Sequence, residues 1–179
     1  MTIVPFPREG LQVGELLLRP PTLADVPTIA PAFLDESVGG EAGLPRLTAS
    51  EIEGFMADRL GTLRESGRLF PLLIVDRDTV VGGASLTNYD TFRDRVELGY
   101  WLLSEGRGRG IATRVARALA THAFYVGLQR VEAVVRPENT ASIRVLERAG
   151  FTREGLMRSL LRHDGARADA YLYSLLPGE

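Results

Sequence analysis

The sequence contains neither cysteine nor lysine, and it contains only two histidines. Without a thiol, disulfide bonds, cysteine-ligated metal sites and a covalent cysteine intermediate are excluded. His122 and His163 lie too far apart in the chain for a metal-ligand pair, so no metal is predicted. There is no run of about 18 apolar residues and no signal-peptide pattern at the start. We therefore expect a cytoplasmic protein that does not bind membranes.

The chain also lacks a strong excess of charge of either sign. Its formal net charge is −2, with 45% hydrophobic and 25% charged residues among 179. Phosphate-backbone affinity needs clustered basic charge, so direct nucleic-acid binding is not expected. This length and composition are typical of one globular domain, residues 1–179. We expect a monomer or a homodimer.

The spacing of apolar residues and of turn signals predicts the element order β-α-α-β-β-β-α-β-α-β-β. Antiparallel hairpins combined with one β-α-β crossover predict a mixed α/β fold, with a mostly antiparallel central sheet and helices on both faces. Asn139 before the fourth helix and Gly150 after it are expected caps. The predicted strands are 15–19, 69–75, 80–87, 96–103, 131–135, 151–162 and 168–175, the last two joined at Asp164-Gly165, and the predicted helices are 22–36, 48–66, 110–127 and 139–149.

A glycine-rich turn joins the strand at 96–103 to the helix that follows it. Gly106, Gly108 and Gly110 permit positive φ and close approach of the backbone to a ligand. The helix adds free N–H groups and the positive end of its dipole, and Arg107 and Arg109 add charge. The turn therefore suits a pyrophosphate, although a merely flexible basic loop has the same composition.

Two common nucleotide-binding motifs do not fit this turn. A P-loop needs a lysine, which the chain lacks. A dinucleotide-binding fingerprint fails because Thr113 stands at its third glycine position.

The turn and its neighbours resemble the GNAT superfamily of N-acetyltransferases. The resemblance covers residues 16–175 in the family's element order and includes motifs that are specific in their joint order and spacing. These are Arg107-x-x-Gly110-x-Ala112, similar to the acyl-CoA pyrophosphate motif, the strand 96–102 (VELGYWL), and the segments 136–142 (RPENTAS) and 146–151 (LERAGF).

The last two strands resemble one branch of that superfamily, the enzymes that acetylate the N-terminal alanine of ribosomal proteins. Glu154-Gly155, Arg158, Asp164-Gly165 and Asp169 carry this similarity. One position departs from the branch, since Arg107 stands where an aromatic residue is usual. The departure changes the charge of the turn and leaves its backbone pattern intact.

The resemblance implies that acetyl-CoA is the co-substrate. Because the chain has no cysteine for a covalent intermediate, direct attack of the amine in a ternary complex is the simplest route. The residues expected to bind acetyl-CoA are Trp101, Leu102, Leu103, Arg107, Gly108, Arg109, Gly110, Ile111, Ala112 and Asn139.

Glu97 and Ser142 are the expected catalytic residues. Glu97 shares a strand face with Gly99 and Trp101, where its carboxylate could accept the proton of the amine; the alternative is a structural salt bridge. By resemblance, Ser142 lies near the thioester sulfur and donates a proton; the alternative is an ordinary polar residue in the first turn of a helix. Many members of the superfamily carry a tyrosine one turn later, but here that position is Leu146.

Three functions remain open at this stage. The first is acetylation of the N-terminal amine of a protein or peptide, with ribosomal proteins as candidates. The second is acetylation of a small amine, such as an antibiotic or a metabolite, and the third is non-catalytic binding of acyl-CoA. Retention of Glu97 and Ser142 favours an enzyme. Acceptor recognition is expected from residues 31–68, the loop 88–95 and the last hairpin.

Overall fold

An eight-stranded sheet forms the centre of the fold in the computed structural model, which describes residues 6–7, 9–40, 44–66, 68–163 and 165–179. The strand order is β1-β2-β3-β4-β5-β6-β8-β7, and β5–β6 is the one parallel pair among the described strands. The strands are β1 (Leu11–Val13), β2 (Leu16–Arg19), β3 (Leu69–Asp76), β4 (Thr79–Asp90), β5 (Arg95–Leu102), β6 (Arg130–Val135), β7 (Thr152–His163) and β8 (Ala166–Leu175). The predicted mixed, mostly antiparallel sheet is confirmed.

Helices cover both faces of this sheet, as predicted. One face carries α1 (Val26–Leu34), α2 (Ala49–Asp58) and α3 (Leu60–Glu65), and the other carries α4 (Ile111–Tyr125) and α5 (Thr140–Ala149). The buried side of α4 follows a helical repeat, in which Ile111, Val115, Leu119 and Ala123 are fully buried. These side chains pack against inward-facing strand residues and form part of the larger of the two hydrophobic clusters found among the described residues.

The start of the chain differs from the prediction. A single strand was expected at 15–19, but β1 and β2 form a hairpin in which Gly14 and Glu15 make the turn. Gly14 has a φ of 62°, which a glycine adopts at little cost. Glu15 also forms an ion pair with Arg114 of α4 at 2.7 Å. β1 is only three residues long, and three residues are too few for an alternation of apolar and polar side chains to reveal a strand in the sequence.

The second predicted helix is also corrected, because it is divided at Arg59 into α2 and α3. Arg59 has a φ of −121° and a ψ of −29°, outside the helical region, and Leu60 directly after it is buried. The stretch also contains Gly54 and Gly61, which are poor helix formers. Between α1 and α2, residues Glu36–Gly40 form a single π-helical turn in place of the expected loop. In the last hairpin, the predicted turn residue Asp164 lies outside the described residues.

The two parallel strands β5 and β6 pair at one end only. Their register covers three residue pairs, from Arg95↔Arg130 to Glu97↔Glu132. Charged side chains link the strands at this end, since Glu132 contacts Arg95 at 2.5 Å and Arg130 at 2.7 Å, and Arg130 also reaches Glu154 of β7. Beyond these pairs a cleft separates the strands, while β6 continues to pair with β8. The sheet is therefore closed at one end and open at the other.

Candidate active site

The opening between β5 and β6 is a cleft of about 900 Å³. One wall is β5 from Glu97 to Leu102, and the opposite wall consists of the end of β6 and the first turns of α5. Strand edges that do not pair with one another leave backbone N–H and C=O groups available to a ligand. Six of the ten residues predicted to bind acetyl-CoA line this cleft, namely Trp101, Leu102, Arg107, Gly108, Ala112 and Asn139.

The glycine-rich turn lies at one end of the cleft. Gly108 and Gly110 have φ values of 73° and 69°, in the left-handed region that favours glycine. Gly110 is the N-cap residue of α4 and supplies no side-chain acceptor to the N–H groups of the first turn. Those groups and the helix dipole therefore remain available to an anion, and Arg107 lines the same end of the cleft. The turn meets the chemical requirements of a pyrophosphate site.

The four other predicted acetyl-CoA contacts are placed differently. Arg109 turns its guanidinium to Asp76, at 2.5 Å, and to the carbonyl oxygen of Glu105. The side chain of Ile111 is fully buried in the core, and the backbone N–H of Leu103 donates to Val81 of β4. Leu103, Arg109, Gly110 and Ile111 do not line the cleft, so any contribution from Gly110 and Ile111 would come through their backbone.

Glu97 lies on the wall formed by β5, half-buried, with its carboxylate in the cleft region. Its Oε2 accepts a hydrogen bond of 3.0 Å from Nδ2 of Asn88. Among the described residues it has no cationic partner, so the salt-bridge alternative is not seen there. A carboxylate held by a neutral amide keeps an oxygen with which to accept a proton.

Ser142 lies on the opposite wall, in the first turn of α5. The carboxamide oxygen of Asn139 caps the helix by accepting from the Ser142 N–H at 2.9 Å, as predicted. The Ser142 hydroxyl oxygen lies 2.7 Å from the hydroxyl oxygen of Tyr100. The cleft thus brings Glu97 and Ser142 to its two walls, and it adds a phenol that sequence reasoning did not select.

Tyr100 has the chemistry of a stable hydrogen-bond donor. It lies on β5 and lines the cleft, and its single hydroxyl hydrogen can be donated either to the Ser142 hydroxyl or to the Ser142 carbonyl oxygen, which lies 3.2 Å away. Burial raises the pKa of Tyr100 to about 12, an effect that the hydrogen bond between its hydroxyl and that of Ser142 partly offsets. The available signal was strand alternation, which places Tyr100 on the sheet face opposite to Glu97, where α4 and α5 pack.

Trp101 is fixed on the same sheet face as Glu97. A Cβ added at Gly83 would come within 2.5 Å of the indole Nε1, so Gly83 is what allows the ring to lie against β4. On its other side the ring makes an edge contact with Phe33 of α1, with centroids 6.4 Å apart. Trp101 therefore forms a rigid part of the cleft wall.

The far part of the cleft is formed by segments distant in sequence. Val38, in the π-helical turn after α1, is buried and lines the cleft together with Leu161 and Arg162 of β7. These residues belong to two of the regions expected to recognise the acceptor. The third region, the loop 88–95, contributes through the contact of Asn88 with Glu97.

Other ligand classes find little support in the described residues. No three of their His, Asp or Glu side chains are grouped so that they would hold a metal ion. No helix in the described part of the chain combines the length and the apolar character needed to span a bilayer.

Known proteins are similar to this chain over most of its length. The family described as the acetyltransferase (GNAT) domain matches residues 15–152. An uncharacterized N-acetyltransferase of Bacillus licheniformis, p20, is 30% identical over 96% of this chain and 98% of its own length. The ribosomal-protein-serine acetyltransferase of Escherichia coli is 29% identical over 63% of each chain. The structure of Mycobacterium smegmatis RimJ in complex with CoA-disulfide is 29% identical, with a TM-score of 0.80 over 95% of this chain and 84% of that one.

Proposed function

The chain belongs to the GNAT family of N-acetyltransferases, which use acetyl-CoA as co-substrate, and on that premise we propose that its acceptor is the N-terminal amine of a polypeptide. The observation that carries this proposal is the open cleft, in which Glu97 and Tyr100 lie on the wall formed by β5, and Ser142, on the opposite wall, contacts the Tyr100 hydroxyl. Between these walls an amine and a thioester would meet with a proton acceptor and a hydrogen donor already in place.

The glycine-rich end of the cleft would hold the coenzyme. The N–H groups at the start of α4 would bind the pyrophosphate, and Arg107 would add positive charge. Asn139 uses its side-chain oxygen for the helix cap, which leaves its Nδ2 as the donor that it offers to the pantetheine arm. Bound in this way, acetyl-CoA supplies the activated acetyl group.

Side chains of the cleft then accept and donate the protons that the transfer requires. Glu97 accepts the proton that the amine loses as the new C–N bond forms. Ser142 provides the hydrogen for the departing sulfur as the C–S bond breaks. As Ser142 gives its proton to the sulfur, Tyr100 donates a hydrogen bond to the serine oxygen, and the proton accepted by Glu97 returns to that oxygen through solvent. The amine thus loses one proton and the sulfur gains one. Because the pKa of Tyr100 is about 12, its phenol stays neutral and keeps its hydrogen at physiological pH.

A polypeptide acceptor is favoured by the open, extended form of the site. Hairpin β7–β8 continues beyond the end of β6, since β6 pairs only with residues Tyr171 to Leu175 of β8. The projecting part carries Leu161 and Arg162 into the cleft lining. An extended peptide is recognised by such strand backbone as well as by pockets. The similarity to a ribosomal-protein-serine acetyltransferase supports the same acceptor class.

The test is a series of acceptors that share their first residue, from the free amino acid to a six-residue peptide. Release of the CoA thiol measures the rate, and mass spectrometry locates the acetyl group. We expect kcat/KM to rise with each of the first few residues. A free amino acid that reacts as fast as the longest peptide would exclude the polypeptide acceptor and favour a small-amine substrate.

A further inference from the structure

Arg162 lines the cleft at the end of β7, and it forms no ion pair with any described residue. It is exposed, and in the register of the hairpin it stands directly opposite Arg167 of β8. Like charges in directly opposed strand positions destabilise a sheet. The chain therefore retains two guanidinium groups here at some cost to the stability of the hairpin.

Among the described residues, the acidic side chains of hairpin β7–β8 do not compensate this charge, because they are engaged elsewhere. Glu154 of β7 binds Arg130 and also accepts from the Ser174 hydroxyl at 2.7 Å. Asp169 accepts from the backbone N–H of Ser159 at 2.8 Å, and so supports the bulge at that position. The guanidinium of Arg167 contacts only the carbonyl oxygen of Leu160, at 3.4 Å, among the described residues. No described carboxylate therefore balances the positive charge of the Arg162 guanidinium.

We propose that Arg162 selects acceptor polypeptides that carry acidic side chains immediately after the N-terminal residue. This inference rests on the proposed function. An amine positioned between Glu97 and Ser142 would place the next residues of its chain along the wall that contains Leu161 and Arg162. Arginine suits a carboxylate partner because its planar guanidinium donates two parallel hydrogen bonds.

The phosphates of the coenzyme are the competing anions for Arg162. The glycine-rich turn, the start of α4 and Arg107 already form an anion site at another part of the cleft. Arg162 instead lies next to Leu161 near the tip of hairpin β7–β8. In this part of the hairpin β7 pairs only with β8 and not with the glycine-rich turn. Variants of Arg162 are thus expected to alter kinetics for the acceptor and to leave the KM for acetyl-CoA unchanged.

The experiment compares three six-residue peptides that begin with the same serine and differ at positions two and three, which are both Glu, both Gln or both Lys. For the natural protein we expect kcat/KM to be about fivefold higher with Glu than with Gln, the effect of a partly exposed ion pair. In Arg162→Gln this ratio should fall to about one. In Arg162→Glu the Lys peptide should become the best of the three. Arg148→Gln is the control, since Arg148 is an exposed arginine at the end of α5 that does not line the cleft, and it should keep the original ratio.

The experiment separates failure of this inference from failure of the proposed function. Equal rates with the Glu and Gln peptides in the natural protein would overturn this inference and leave the polypeptide acceptor intact. A raised KM for acetyl-CoA in Arg162→Gln, with an unchanged peptide ratio, would assign Arg162 to the coenzyme. If none of the peptides is acetylated but free amino acids are, both the proposed function and this inference fail.

Discussion

The hydroxyl oxygens of Tyr100 and Ser142 lie 2.7 Å apart, across the gap between β5 and the first turn of α5. The contact joins residues 42 positions apart in the chain. Asn139 holds the serine from the other side by capping its backbone N–H. Ser142 is thus oriented by two neighbours, and its hydroxyl hydrogen can be directed into the cleft while the phenol donates to its oxygen.

Tyr100 and Ser142 are expected to act as one unit. Ser142→Ala should lower kcat by ~10²-fold, the usual range for a lost proton donor. Tyr100→Phe keeps the ring but removes the hydrogen bond, and should lower kcat by about tenfold with little change in KM for acetyl-CoA. The double variant should be no slower than Ser142→Ala alone. Steady-state kinetics on one peptide substrate measures all three, with Tyr125→Phe, on an exposed tyrosine of α4, as the control. Losses that multiply in the double variant would mean that the two hydroxyls act independently.

Glu97 is expected to matter most where the acceptor amine is protonated. An unperturbed α-amine has a pKa of about 8. Glu97→Gln should therefore lower kcat/KM by ~10²-fold near pH 7, and the loss should shrink as the pH rises above the pKa of the amine. Glu138→Gln is the control, because Glu138 is a second carboxylate that lines the cleft. An equal loss at every pH from 6 to 10 would assign Glu97 a structural role.

The anion site at the start of α4 is tested by a charge placed at Gly110. Asp and Asn have nearly the same shape, and both tolerate a φ near 69° better than other side chains do. Gly110→Asp adds a negative charge beside the expected pyrophosphate, whereas Gly110→Asn does not. Titration calorimetry should show CoA bound about tenfold more weakly by the Asp variant than by the Asn variant. Equal affinities in two folded variants would remove the pyrophosphate from this turn.

The ion pair between Arg130 of β6 and Glu154 of β7 predicts a loss of stability in acid. Hydrogen bonds from Arg130, and then from Ser174, lower the pKa of Glu154 to about 2 from an ordinary 4.5. Because the pKa of Glu154 is lower in the folded state than in the unfolded state, its ionised carboxylate stabilises the fold, and this stabilisation is complete above pH 4.5. It is lost as the pH falls from 4.5 to 2. Glu154→Gln should therefore lower the urea midpoint at pH 7, and the difference should disappear near pH 2. Glu53→Gln, on the exposed side of α2, should leave the midpoint unchanged at both pH values.

Local sequence features predicted the elements that build the site. The helical repeat of apolar residues predicted α4, the cap residues Asn139 and Gly150 predicted the limits of α5, and alternation predicted the two faces of β5. Each of these signals depends on residues within a few positions of one another. The same reasoning missed β1 and the break at Arg59, because a three-residue strand and a kink carry too little local pattern to outweigh their surroundings.

The side-chain partners within the site required the tertiary structure. Arg109 was expected to bind the coenzyme because it lies in the glycine-rich turn, but its guanidinium contacts Asp76 at the end of β3. Tyr100 was passed over because nothing in the sequence indicates that Ser142 lies opposite to it. Both contacts join segments more than 30 positions apart. They follow from strand register and helix placement, which depend on how distant segments pack.

By itself the sequence determined the kind of protein and the chemistry that its backbone permits. The absence of cysteine excluded a thiol intermediate, and the glycines before α4 provided a turn that accepts positive φ. Only the tertiary structure decided that β5 and β6 pair over three residues and then leave a cleft, and that Glu97, Ser142 and Tyr100 meet around it. The physical reason is that backbone conformation is largely local, whereas a cleft is the space left between segments whose packing is settled by the whole fold.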